Sequence, residues 1–240
     1  AGHQHYHWLA SLGYDHNADQ LAAVYNRLSL RYALTANITN SLSLNVGLNY
    51  ANGNNLSGRE GVTDVSSLNG VLYPYAALGD KDGNALPIVR DYRLSYLQTL
   101  DQRLLDWKYY PLTDYQHNRS KSISDDVNIN AGLSYQFKSW KLNMLYRLQR
   151  QQSTVENLQD LESYSTRNLI NSFTQLGANH VNYILPLGAI RNFSTASLWA
   201  QDLRLQANYD RSFAAHQLTG FVSAETRELS NDRTAARYYG

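Results

Sequence analysis

His3, His5 and His7 alternate at the start of the chain. In an extended strand they share one face, where imidazoles could in principle ligate a metal. The sequence has no cysteine, and no acidic partner lies close by, so these histidines read as a polar strand face and no metal is expected. Gly79-Asp80-Lys81-Asp82-Gly83-Asn84 begins like a calcium loop but lacks the glutamate that closes one at position 12. An Asp-Gly turn is the better reading. Calcium in an external loop stays an alternative that nothing else indicates, and no cofactor is expected. Tyr73, Tyr75, Trp107, Tyr109 and Tyr110 lie within one stretch. Their rings combine an apolar face with a polar edge, which suits stacking on sugar rings or peptide side chains. The competing reading is that they pack the loop or meet a partner protein. No nucleophile elbow, HExxH or phosphate loop aligns the many Ser, His and Asp residues, so no enzyme is expected. A net charge of +1 supplies no basic excess for nucleic acid.

What positions these residues is a set of period-two segments. Alternation marks a strand with two different faces. Leu42, Leu44, Val46, Leu48 and Tyr50 alternate with Ser43, Asn45, Gly47 and Asn49. Val127, Ile129, Ala131, Leu133, Tyr135 and Phe137 alternate with Asn128, Asn130, Gly132, Ser134 and Gln136. Trp140, Leu142, Met144, Tyr146 and Leu148 oppose Lys141, Asn143, Leu145, Arg147 and Gln149. Segments around Tyr6–Tyr14, Leu28–Ala36, Leu203–Tyr209 and Leu218–Ala224 behave alike. The strands expected are about 3–14, 23–38, 41–53, 125–137, 139–150, 199–211 and 216–228. They exceed the usual 5–6 residues and match the roughly 9–11 of a tilted membrane-spanning strand. Arg27, Arg31, Arg147 and Arg204 fall on the polar faces and are expected to face a lumen and line a wet channel.

The connections alternate in length. Thr39-Asn40-Ser41, Lys138-Ser139 and Ser212 to Ala215 are tight turns, whereas about 51–124 and 151–199 are long loops. Short on one side and long on the other is the outer-membrane pattern, with aromatics at the strand ends as an interfacial girdle. The mean hydropathy of −0.49 does not oppose this, because only alternate residues of such a barrel are apolar. A soluble β-sandwich binding module is the rival, but a soluble surface carries more Lys and Glu than these Asn-, Ser- and Gln-rich faces. Seven strands cannot close alone, since open edges in lipid leave backbone groups unsatisfied. An open slice of a larger barrel is expected, with outer-membrane lipid and the remainder of the same barrel as its neighbours.

The loops carry longer words. YPYAALGDKDGNALPIVRDYRLSY begins at Tyr73 and LLDWKYYPLTDY at Leu104. YRLQRQQSTVENLQDLESYSTRNLINSFTQ begins at Tyr146, ILPLGAIRNF at Ile184, and LRLQANYDRSFAAHQLTGFVSAETRE at Leu203. Together with the strand NINAGLSYQF, this ordered set resembles the SusC/RagA family of TonB-linked outer-membrane transporters of Bacteroidetes. The resemblance implies an all-β, antiparallel transmembrane barrel of 22 strands holding a plug, of which residues 1–240 supply about seven strands. It also implies a SusD-like surface lipoprotein as lid, energy from TonB through an N-terminal region not found here, and import of glycan oligosaccharides or peptides. The loops would then be extracellular. Alternatives are a docking surface or structural barrel segment, and a passive porin-like channel.

Overall fold

The computed structural model describes residues 2–3, 5–65 and 72–240, with side chains from residue 5 on. Among these residues ten strands and three short helices follow one another. The strands are β1 (Gly2–His3), β2 (Tyr6–Ala18), β3 (Val24–Asn37), β4 (Leu42–Leu56), β5 (Asn118–Phe137), β6 (Trp140–Gln159), β7 (Gln175–Leu176), β8 (Val181–Asn182), β9 (Ile190–Phe213) and β10 (His216–Tyr239). The helices are α1 (Leu94–Leu97) and α2 (Pro111–His117) between β4 and β5, and α3 (Tyr164–Phe173) between β6 and β7. β1 to β6, β9 and β10 form one antiparallel sheet in chain order, and β7 pairs with β8 alone. β2 and β10 do not pair with each other, so the sheet is open among the described residues. Among the described residues no helix is long and apolar enough to cross a membrane, which says nothing of a β-barrel.

Register puts directly paired residues on the same face. Leu42 pairs with Tyr135, Tyr135 with Leu142, Leu142 with Ala207, and Ala207 with Val222. The apolar stripes therefore merge into one continuous band, and the Asn, Ser, Gln and Arg positions merge on the opposite face. Among the described residues no second layer covers the band. Leu133, Met144 and Leu205 stand in the middle of the sheet, each about 40–50% exposed. In water this would be an open apolar patch far beyond the ordinary.

The band runs obliquely across the hydrogen-bond rows. Its lower edge is Ala36 in β3 and Leu218 in β10. The register carries Ala36 through Leu44, Leu133, Met144 and Leu205 to Ala224, six residues from Leu218. That is about 20 Å along the strands over about 24 Å across five strand spacings, an inclination of about 40°. The upper edge moves from Leu28, whose register partner in β10 is Asp232, to Ala224, eight residues away, or about 50°. Strands of outer-membrane barrels tilt by about 35–45°. A belt of lipid would be level while the strands lean, and this slope follows. In β6 the band from Trp140 to Leu148 covers about 27 Å of strand, or about 20 Å of height at that tilt, near the apolar band of such barrels.

Both edges of the band are aromatic. At the turn end the Trp140 and Tyr209 rings lie 4.8 Å apart, beside Tyr135 and Phe137. At the loop end the phenols turn toward polar neighbours. Tyr50 and Asn52 donate to Asp125, and Tyr146 donates to Gln201, which donates to Glu228. At the turn end β3 and β4 are joined by residues 38–41, while β5–β6 and β9–β10 are joined by two residues each, with Lys138 (φ 52°) and Ala214 (φ 49°) in the left-handed region. A positive φ at the first turn position matches the twist of antiparallel strands.

The structure lengthens the expected strands at the loop end. β5 starts at Asn118 rather than about 125, β6 runs to Gln159 rather than about 150, β9 starts at Ile190 and β10 reaches Tyr239. The reason is visible in Arg119 to Asp126 and in Gln151 to Gln159, which are polar on both faces for much of their length. The ladder continues above the apolar band, but alternation in hydropathy does not. The long loops shrink accordingly to 57–117 and 160–189.

Candidate functional site

Apart from Ile190 and Ala200 of β9, the buried apolar side chains among the described residues lie off the sheet. Val65, Ile88, Tyr109, Tyr164 and Ile170 are buried, and all belong to the two long loops. Leu78 and Trp107 pack against the cluster that Val65, Ile88, Tyr109 and Tyr164 form. The two loops thus interlock into one layer at the loop end of the strands, here called the roof.

Side chains of α3 read the backbone of the first loop. The Asn171 amide donates to the Leu105 carbonyl (2.9 Å) and accepts from the Leu105 N–H (3.0 Å). The Trp107 indole donates to Asn168 (2.8 Å), and Arg167 donates to the Lys108 carbonyl (3.2 Å). The Tyr164 N–H donates to Asp114 (2.6 Å) and its hydroxyl to Asp91 (2.5 Å). Nearby, the Arg103 guanidinium donates to Asp101 and to the Gly177 carbonyl, while Tyr183 donates to the Arg103 carbonyl. Gly58 abuts the backbone of Leu21 to Ala23 so closely that a Cβ would meet the Leu21 carbonyl at 2.1 Å. Only glycine fits there, and the neighbouring Arg59 N–H donates to Leu21.

A cation sits between the two core tyrosines. The Arg90 guanidinium lies 4.3 Å from the Tyr109 ring centroid and 5.0 Å from that of Tyr164. Tyr109 donates to Glu60 at 3.1 Å. Burial first, then the Glu60 charge, pushes the Tyr109 phenol above the ordinary tyrosine range. Burial and the hydrogen bond to Asp91 do the same for Tyr164. A tyrosine whose folded pKa is raised contributes stability that is complete below its unfolded value, about 10, and is lost as pH rises through the folded value. We expect the roof to gain protease sensitivity only above about pH 10, while the strands stay protected. Loosening that begins near neutral pH would contradict this assignment.

The expected contact residues separate. Tyr75 is fully exposed with φ 63°, following Pro74 in a turn closed by the Ala76 N–H on the Tyr73 carbonyl. That position usually takes glycine or asparagine. Tyr73 is 40% exposed. Tyr110 is partly buried and donates to Asp106 at 3.4 Å. Trp107 packs edge-on against Tyr92 at 5.0 Å. Tyr109 is 3% exposed and packs inside the roof, beside a small cavity that it lines with Glu60 and Asp114.

Arg27, Arg31, Arg147 and Arg204 all lie on the polar face. Arg27 pairs with Asp15, Arg147 with Asp202, and Arg204 with Glu225, while Arg31 faces Ser11 and Asn49. Carboxylates of the sheet itself thus stand across from three of them. Arg204, Gln206 and Asn208 form a hydrogen-bonded ladder along β9 on this face. Asp80 accepts from the Asp82 and Asn84 N–H groups and from the Asn84 amide, and Gly83 has φ 86°. These bonds lower the Asp80 pKa, and its carboxylate serves the turn. The described residues contain no metal-binding group, and the His3 side chain lies outside them. The roof latch of α3 was not expected. Ser163, Thr166, Arg167, Ile170 and Asn171 recur at helical spacing, but this buried stripe is mostly polar.

Tilted strands, a slanted apolar band, short turns at one end and a packed loop layer at the other define a wall segment of an antiparallel transmembrane-type β-barrel. No protein-family model matches the sequence, and no curated protein matches it. Solved structures match the fold. The RagAB peptide importer in its "closed-closed" state aligns with a TM-score of 0.68 and 15% identity over 99% of this chain. Its "open-open" state and the RagAB peptide transporter each align at 0.69 and 16%, again over 99%. This chain spans about a quarter of the matched chains, 24% in each case. The likeness is one of fold.

Proposed function

We propose that this chain is the wall and roof of an outer-membrane importer for peptides, with the apolar band in lipid, the polar face toward the lumen and the roof outside the cell. The observation that carries the reading is the band, sloped at the angle of tilted strands in a level bilayer. The likeness to RagAB peptide importers favours peptides over glycan oligosaccharides. In this reading a SusD-like lipoprotein covers the roof, and TonB acts through a part of the protein outside these residues. Tyr73, Tyr75, Trp107 and Tyr110 remain the aromatic groups suited to substrate or lid contact. Arg27, Arg31, Arg147 and Arg204 line the lumen. The likeness to importers supports binding and passage rather than catalysis.

The test is uptake by cells that express the intact protein or lack it. Labelled oligopeptides should accumulate only in cells that carry it, and labelled oligosaccharides should enter both equally. Selective loss of oligosaccharide uptake would move the substrate to glycans, and no loss of either would end the importer reading. A docking role is favoured instead if removal of the roof abolishes lipoprotein binding yet spares small-solute uptake.

A further inference from the structure

One face of α2 and the start of α3 enclose a pocket of about 360 Å³, lined by Asp106, Tyr110, Thr113, Asp114, Glu162 and Arg167 among others. This volume falls within the range of small-ligand sites. Three carboxylates face one guanidinium there. His117, on the same helix face, is already engaged with Asp160 at 3.0 Å.

Arg167 is only 8% exposed, and its Nε has no hydrogen-bond partner. Its Nη1 comes no nearer than 3.9 Å to Asp106. A buried guanidinium normally has its donors filled, because leaving them empty is costly. The Glu162 carboxylate is in no hydrogen bond or ion pair among the described residues. Asp106 holds the Lys108 N–H with one oxygen, and its other oxygen has long contacts from Tyr110 (3.4 Å) and Arg167 (3.9 Å). Asp114 commits one oxygen to the Tyr164 N–H. Three carboxylates and one guanidinium thus line one cavity, with the acceptors in excess.

We infer that this pocket binds the amino-terminal residue of a peptide, the ammonium held by Asp106 and Glu162 and the first carbonyl by Arg167. A neutral sugar offers no cation to the excess carboxylates, and a free phosphate or carboxylate ligand would be repelled by them. The ammonium group answers the negative balance, and the adjacent carbonyl answers the guanidinium. The inference rests on the peptide reading above and narrows it to one end of the substrate.

The test uses the intact transporter in detergent and two probes: tetra-alanine with a carboxyl-terminal fluorophore amide, and the same peptide acetylated at its amino terminus. Hydrogen bonds to charged groups are worth about 10- to 100-fold in affinity. The free-amine peptide should bind at least about tenfold more tightly. Thr113→Trp, which fills the pocket without touching the bonds between the loops, should remove that preference. Asp106→Asn keeps the acceptor for the Lys108 N–H and should also reduce it. Equal binding of both peptides by the unaltered protein, or a preference that survives in both variants, would overturn the subsite while leaving peptide import standing. Failure of both peptides to bind the unaltered protein would overturn both.

Discussion

Met144→Arg is expected to destabilise the intact barrel by about 2–4 kcal/mol, whereas Asn143→Arg, one residue away, should cost less than about 1 kcal/mol. Met144 lies mid-band, paired with Leu133 and Leu205. An arginine there must lose its hydration to lipid or pull water and headgroups inward. Asn143 points to the other face, where Ser134 donates to it and Gln206 is its register partner. Extra charge there meets polar groups and water. Denaturant titration of the folded barrel, followed by its heat-modifiable migration, reads both values. Equal costs at the two positions would contradict the face assignment.

Asn171→Leu should loosen the roof by roughly 2–4 kcal/mol without unfolding the strands. The asparagine is 4% exposed and satisfies both backbone groups of Leu105. Leucine fills similar space but leaves a buried donor and a buried acceptor unpaired. Limited proteolysis should cut within 57–117 and 160–189 and leave β5, β6, β9 and β10 whole. A variant as resistant as the parent would mean that the two loops are held together elsewhere.

Which parts were legible in the sequence follows from what each part is made of. Leu42 to Tyr50 and Trp140 to Leu148 lie where one face meets lipid and the other polar surroundings, so their composition states their geometry. Gln151 to Gln159 has polar groups on both sides, and its strand is held by backbone ladder bonds that leave little mark on composition. The roof was the least legible. The bond from Asn171 to Leu105 joins residues 66 apart in sequence. Nothing local in YYPLTDY distinguishes buried Tyr109 from its partly buried neighbour Tyr110. The lumen arginines could be placed by parity alone. Their cross-strand carboxylates could not, because register is set by pairing over long loops.

The central claim is that alternate residues of one strand face lipid and water. The chain has no cysteine, so single cysteines can be placed from Trp140 to Gln149 in the intact protein, cysteine-free elsewhere, within native membranes. Each would be challenged with a membrane-impermeant maleimide and, after labelling with a fluorophore, with a lipid-borne quencher. The account predicts quenching by lipid at even positions and aqueous labelling at odd ones, deepest near Met144. Aqueous labelling at Leu142, Met144 and Tyr146, or loss of the two-residue period, would contradict it.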